Sequence, residues 1–170
     1  WVFIFTNAMP ALGGALGWDW LANISWFGTP SMATVTIIVV SIWQNIGFLM
    51  IIYTAGLQTI PKDVMESAEL DGCSGLRKVL KIELPLLMPT VTINLFVSIS
   101  GAFKSFDIPN AMTGGGPYGS TMPVAMNIYQ EAFTKYNLGY GSAKSVILFL
   151  TVAAVTLIQL YCTRKKEVEY

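Results

Sequence analysis

The 170-residue chain holds ten acidic and ten basic side chains and no histidine, and it crowds much of that charge between residues 61 and 85. Residues 66–85 read Glu-Ser-Ala-Glu-Leu-Asp-Gly-Cys-Ser-Gly-Leu-Arg-Lys-Val-Leu-Lys-Ile-Glu-Leu-Pro, a charged amphipathic island between apolar stretches. Without histidine or a cluster of ligand side chains there is no set for a metal centre, and Ser or Asp candidates lack a partner base in the apolar runs. Gly114-Gly115-Gly116 is not followed by Gly-Lys-Ser/Thr and no strand precedes it, so it reads as a flexible turn and not as a phosphate loop. What remains for the island is mechanical. Ser67, Ala68 and Gly72 are small enough to let another surface approach the backbone, and Glu66 and Asp71 are placed to fix geometry without moving protons. On charge and helicity alone, an ordinary loop with the lysine and arginine excess of a cytosolic face fits equally well.

A second chemical feature lies within the apolar runs. Ser41, Gln44, Asn45 and Phe48 are spaced i, i+3, i+4, i+7 and share one helical face. Asn94, Ser98, Gly101, Ala102 and Ser105 repeat the pattern at i, i+4, i+7, i+8, i+11. An amide turned toward lipid is costly, so these faces are expected against other helices or a water-filled path. Small and hydroxyl residues also serve as contacts between membrane helices, a reading that weighs as much for Ser98, Gly101 and Ser105. Lys104 and Asp107, three apart, read as a snorkelling lysine with a local ion pair at a helix end.

Long uncharged runs must carry these faces. No charge occurs between Asp19 and Lys62, with a core of 26 residues from Met32 to Leu57. Glu83 and Lys104 bracket 20 uncharged residues, and Lys144 and Arg164 bracket 19. A helix needs about 20 apolar residues to cross a hydrocarbon core about 30 Å thick, so three spans are expected in an all-α membrane protein. The runs are too long and uniform for barrel strands. Lys62, Arg77, Lys78, Lys81, Arg164, Lys165 and Lys166, seven of the ten positive residues, fall on one side if the spans alternate. That side is expected to be cytosolic, together with the C-terminus.

The expected organisation is an outer helix end and extracytoplasmic loop over 1–31, a span over 32–57 and a cytosolic loop over 58–83. A span over 84–107, an extracytoplasmic segment over 108–143, a span over 144–163 and a cytosolic tail over 164–170 follow. Trp1–Phe5 reads as the outer end of a helix that began upstream, and the Gly-, Trp- and Pro-rich stretch after it as a loop along the headgroups. Within 61–83 two short helices are expected: Pro61 at a first helical position, Asp63 and Glu66 in the first turns, Asp71-Gly72 as the turn, and Ser74 capping the second helix. Pro85 is expected to start the next span, with a local kink at Pro89. Cys73 and Cys162 lie far apart on the cytosolic side, where a disulfide is not expected.

Glu66-Ser67-Ala68, then Asp71-Gly72, then Ile82-Glu83-Leu84-Pro85, resembles the cytosolic coupling loop of binding-protein-dependent ABC importer permeases. Ser67 and Cys73 stand where alanine is usual in that family. Gly56-Leu57-Gln58-Thr59-Ile60-Pro61, Phe106-Asp107, Thr113-Gly114-Gly115-Gly116-Pro117 with Thr121, Ile128-Tyr129 with Ala132-Phe133, and Leu138-Gly139-Tyr140-Gly141 with Ala143 are similar to the carbohydrate-uptake branch, the maltose- or glycerol-phosphate-type inner-membrane subunit. The resemblance implies the C-terminal part of a type I importer transmembrane domain, with three full spans, a coupling helix-turn-helix and about three more spans upstream. It implies ATPase coupling through Glu66, Ser67, Ala68, Asp71, Gly72, Leu84 and Pro85, and a substrate path along Ser41, Gln44, Asn45, Phe48, Ser98, Ala102 and Ser105.

It further implies a second permease subunit as heterodimer partner, two ATPase subunits that bind ATP and Mg, an extracytoplasmic solute-binding protein, and a sugar as cargo. The location implied is a bacterial or archaeal inner membrane, with no nucleic acid, no catalysis and no cofactor in this chain. The alternatives are a secondary transporter and a non-transporting scaffold subunit. The first would want ionisable residues within the spans, and the three cores contain none.

Overall fold

The computed structural model describes residues 1–165; the end of the tail expected over 164–170, Lys166 included, lies outside them. The described residues form helices joined by turns and short loops, with no strand among them. The chain divides into two compact units, Trp1–Gln44 with Phe103–Leu148, and Asn45–Ala102 with the C-terminal stretch from Phe149.

In the first unit α1 (Ile4–Leu16) opens with a π-type turn over Ile4–Ala8 and ends at Gly17, whose left-handed φ of +70° lets its N–H close onto Gly13 and Gly14 carbonyls. The stretch expected as a loop after Phe5 is therefore a helix, followed by α2 (Asp19–Asn23). Gly13 explains the departure. It has no side chain because the backbone of Leu21 and Ala22 packs against it, so glycine here serves close approach, not disorder. Buried Phe5 meets Trp26 edge-on at 5.0 Å between ring centroids.

The helix α3 (Pro30–Gln58) runs through the apolar core read from the sequence. Pro30 takes the first position, where no backbone N–H is needed, and the Met32 N–H donates to Thr29 Oγ1 at 3.4 Å. Buried Thr36 satisfies its hydroxyl on the Met32 carbonyl (2.8 Å). The helix stops before Pro61, which has an extended backbone (φ −60°, ψ 134°).

The second unit adds α4 (Lys62–Leu70), α5 (Leu76–Leu86) and α6 (Met88–Phe103). Pro85 lies in the last turn of α5, and the chain bends by 69° at Leu87, between the two prolines, where a kink was expected at Pro89. Neither ring nitrogen can donate, and each ring crowds the carbonyl four residues back, so the ladder breaks here. A π-type turn over Val79–Glu83 leads into the break, with the Leu84 N–H reaching Val79 O. The 16 residues of α6 rise about 24 Å, short of a hydrocarbon core of about 30 Å, so a full span needs the apolar Leu84–Leu87 as well. Among the described residues two helices, α3 and the last helix α9 (Leu138–Arg164), are long and apolar enough to cross a bilayer by themselves, and bent α5–α6 makes a third candidate.

Helix α6 is held on two sides. Buried Asn94 donates through Nδ2 to the Leu49 carbonyl of α3 (3.4 Å), and Gln159 of α9 donates through Nε2 to the Thr92 carbonyl (3.4 Å). Two residues before Thr92, the helices α3 and α6 cross at Gly56, where a Cβ would strike the Thr90 side chain, with Cγ2 at 2.8 Å and Cβ at 2.9 Å. Because two Thr90 atoms besides Oγ1 stand that close, a rotamer change cannot clear the space. Gly56→Ala is expected to cost about 1–3 kcal/mol through this contact, and Thr90→Gly in the same chain, which removes all three atoms, to recover the part due to the clash. Thermal unfolding of the three variants in one detergent checks it; equal midpoints for wild type and Gly56→Ala would contradict the crossing.

In the first unit, α6 is followed after Phe103 by α7 (Asp107–Thr113), then α8 (Val124–Tyr129), which runs on as a π-type turn over Gln130–Thr134. Phe106 caps α7 and Asp107 opens it, so Ser105 lies outside helix α6 and off the face its i+11 spacing implied. Lys104 and Asp107 do not pair; the ion pairs among the described residues are Lys78–Glu69, Lys135–Glu131 and Lys144–Glu131. The triple glycine is a tight turn. Thr121 Oγ1 meets Thr113 Oγ1 at 2.7 Å and donates to Gly116 O at 2.7 Å, while Gly115, with φ +90°, packs against Met122.

Candidate functional site

The charged island folds as an elbow of two helices, α4 and α5. Asp63 lies in the first turn of α4, where the helix dipole favours a carboxylate, and Ser67 Oγ bonds back to Asp63 O at 2.7 Å. At the other end the Cys73 N–H reaches Ala68 O (2.9 Å) and the Gly72 N–H reaches Glu69 O (3.0 Å), the paired bonds of a Schellman cap. That cap needs a left-handed residue where Gly72 stands, and its φ is +74°. The cap draws Cys73 in over buried Ala68, which accounts for small residues at both positions.

Gly75, with φ +58°, opens α5 directly, and Ser74 makes no cap, contrary to expectation. A positive-φ glycine reverses the chain too sharply for Ser74 to reach the first free N–H groups. Across the turn Lys78 Nζ meets Glu69 Oε1 at 2.7 Å, and this contact holds the Glu69 carboxyl below its ordinary range. The elbow thus has one backbone lock and one ionic clasp.

Of the residues singled out in the island, Ser67, Ala68 and Asp71 line one cleft with Asp63, Val64 and Ile82, about 360 Å³ in volume. Glu66 is exposed on α4 outside that lining, Gly72 forms the cap, and Leu84 and Pro85 end α5. The tip carries uncovered apolar side chains: Leu70 is 89% exposed, Leu76 79% and Leu80 60%. One ion pair crosses the turn, and the surface around it mixes these exposed leucines with the exposed charges of Glu66, Asp71, Arg77 and Lys81.

On the polar faces, Gln44, Asn45 and Phe48 are exposed on α3 and Ser41 is half-buried. Ser98 and Ala102 are exposed on α6, and Ser105 is half-buried beyond its end. Asn94, at the inner end of the second stripe, is already used against Leu49. Gln159 was not read from the sequence at all. It is the one amide in the last apolar run, and that isolation was the signal.

A second polar centre, also missed, lies in the first unit. Glu131, buried on the π-type turn, accepts from Asn137 Nδ2 (3.0 Å), Lys135 Nζ (3.1 Å) and Lys144 Nζ (3.4 Å). Lys144 also donates to Asn127 Oδ1 (2.9 Å), which ties α8 to the first turns of α9. These donors, Asn137 and then Lys135 first, lower the Glu131 pKa to about 2. The i, i+4 spacing of Glu131 and Lys135 was legible; the reach to Asn137 and Lys144 needs the turn.

Because the folded pKa lies below the ordinary value of 4.5, the stabilisation is complete above that value and is lost as pH falls through about 2. Glu131→Gln is therefore expected to raise hydrogen exchange over residues 124–144 equally at pH 6 and pH 8. A difference confined to one of these pH values would refute a fully ionised carboxylate at the centre.

With this geometry in view, the family described as binding-protein-dependent transport system inner membrane component matches residues 1–168. A probable starch degradation products transport system permease protein of Thermoanaerobacterium thermosulfurigenes is 36% identical, over 99% of this chain and 57% of its own length. A sulfoquinovosyl glycerol transport system permease protein of Agrobacterium fabrum is 40% identical, over 85% and 47%. A trehalose/maltose transport system permease protein of Thermococcus litoralis is 37% identical, over 82% and 47%. The chain spans about half the length of these curated relatives. An all-helical chain with apolar spans and an elbow of this kind, matched over nearly its whole length, belongs to the binding-protein-dependent transport system inner membrane components.

Proposed function

We propose that the chain is a permease subunit of an ATP-driven sugar importer, that it forms part of the translocation path, and that the 61–85 elbow couples it to an ATPase. The names of its relatives support the cargo class, since they describe permeases for starch products, sulfoquinovosyl glycerol and trehalose or maltose. The observation that carries the reading is the elbow: a capped, clasped turn with a leucine-rich tip, joined through one sharp bend to a membrane helix. Such a tip fits an apolar groove on a partner, and its rigidity lets displacement pass on without being absorbed.

In this reading two ATPase subunits supply ATP, Mg and the hydrolytic chemistry, and the elbow faces them in the cytosol with the C-terminus. A second permease subunit and an extracytoplasmic binding protein complete the importer in the inner membrane of a bacterium or archaeon. When the elbow moves, α5 carries the Leu87 bend and α6 with it. The Asn94–Leu49 and Gln159–Thr92 bonds then oblige α3 and α9 to share the motion. Ser41, Gln44, Asn45 and Phe48, with Ser98, Ala102 and Ser105, contribute to the path. Amides there can bond sugar hydroxyls and Phe48 can offer an aromatic face, while Ala102 supplies only space.

Proline cannot adopt the φ of +74° found at Gly72, whereas asparagine tolerates it. Gly72→Pro should therefore destabilise the native turn by about 1–3 kcal/mol and cut uptake per ATP hydrolysed roughly tenfold or more, with the spans still inserted. Gly72→Asn should keep coupling near wild type. Uptake and hydrolysis measured together in proteoliposomes decide it, and undiminished coupling in the proline variant would exclude the elbow as the lever.

A further inference from the structure

The last helix carries the same device at both ends. Lys144 Nζ lies 4.4 Å from the centroid of the Tyr140 ring, and Lys165 Nζ lies 4.2 Å from that of Tyr161. The two tyrosines are 21 residues apart, a rise of about 31 Å, close to the thickness of a hydrocarbon core. The whole helix of 27 residues rises about 40 Å, near the thickness of a bilayer with its headgroups. Each Tyr–Lys pair therefore falls at a membrane–water interface, where amphipathic rings and snorkelling cations are favoured.

The two ends differ in what satisfies the cation. Lys144 is taken up by Glu131 and Asn127. At the other end neither Arg164 nor Lys165 pairs with a carboxylate among the described residues. Beside them a groove of about 360 Å³ runs between α6 and α9, lined by Pro89, Thr92, Ile93, Phe96, Leu160 and Arg164. Its walls are apolar except for Thr92, whose hydroxyl is turned back to Met88 O, and Arg164. Complementing the helix dipole accounts for a cation at a C-terminus, but not for an apolar channel leading away from it.

We propose that the Arg164 end of α9 binds one anionic phospholipid, with its phosphate held by Arg164 and Lys165 and one acyl chain lying in the groove against α6. Guanidinium and ammonium supply charge-assisted donors to phosphate oxygens, and the Tyr161 ring lies against the Lys165 ammonium. The groove takes the chain because Ile93, Phe96 and Leu160 offer apolar walls at the depth where the first methylenes lie. The site requires only that the chain crosses a bilayer, so it stands or falls separately from sugar transport.

The test uses the intact transporter with all its subunits, reconstituted in nanodiscs of phosphatidylcholine with phosphatidylglycerol. Native mass spectrometry after mild delipidation counts retained lipid, and photoactivatable phosphatidylglycerol maps the chain. Wild type is expected to retain phosphatidylglycerol in preference to phosphatidylcholine and to be labelled within 89–96 or 160–164. Arg164→Gln with Lys165→Gln should lower that preference about fivefold for each cation removed. Ile93→Trp, which fills the groove and leaves both charges, should reduce labelling by either lipid. Unchanged preference in the double variant, or no labelling of either segment because protein covers them, overturns the site.

Discussion

Hydrocarbon offers a peptide group nothing to bond with, so each place where this chain departs from a regular helix must satisfy its own backbone or leave the membrane. The bend at Leu87 is where that requirement presses hardest. Two prolines four residues apart remove donors, and a π-type turn just before them redirects the bonds that remain. Because α6 by itself is too short for a span, this interrupted stretch cannot be discarded as a loop. It is the joint between the charged elbow and the apolar rod of α6, as residues 59–61 are between the elbow and α3.

Either side of that joint is stiffened by different means. In the elbow, backbone bonds of the Gly72 cap close α4, and the Lys78–Glu69 contact crosses the turn. An exposed ion pair is worth little by itself, about 0–1 kcal/mol, so the cap is the stronger of the two. In the spans, single side-chain amides do the fastening. Asn94 and Gln159 each bond a carbonyl on a neighbouring helix, and Gly56 lets α3 come close at Thr90. Small residues and isolated amides replace the hydrophobic driving force that lipid removes.

Uncharged run length made the spans legible, since a 26-residue run leaves few alternatives to a crossing helix. The elbow was legible too, because Asp71-Gly72 dictates a left-handed corner whatever surrounds it. The failures share a cause. Gly13 and Pro10 suggested a loop because composition does not reveal whether a glycine is present for freedom or for proximity. Ser105 fitted a helical period that the chain abandons two residues earlier, and only the start of α7 shows why. Lys104–Asp107 had plausible spacing but no helix to hold it. Glu131 collects donors from 4, 6 and 13 residues away, and no local pattern anticipates the last of these.

The corner at Gly72 also limits how this loop can diversify. A residue held at φ +74° is closed to nearly the whole amino-acid alphabet, although the space around it is open, so the backbone alone sets the limit. Leu70, Leu76 and Leu80 are mostly exposed and meet no such restriction. Side chains at the leucines are thus free to vary, while the shape that displays them stays frozen.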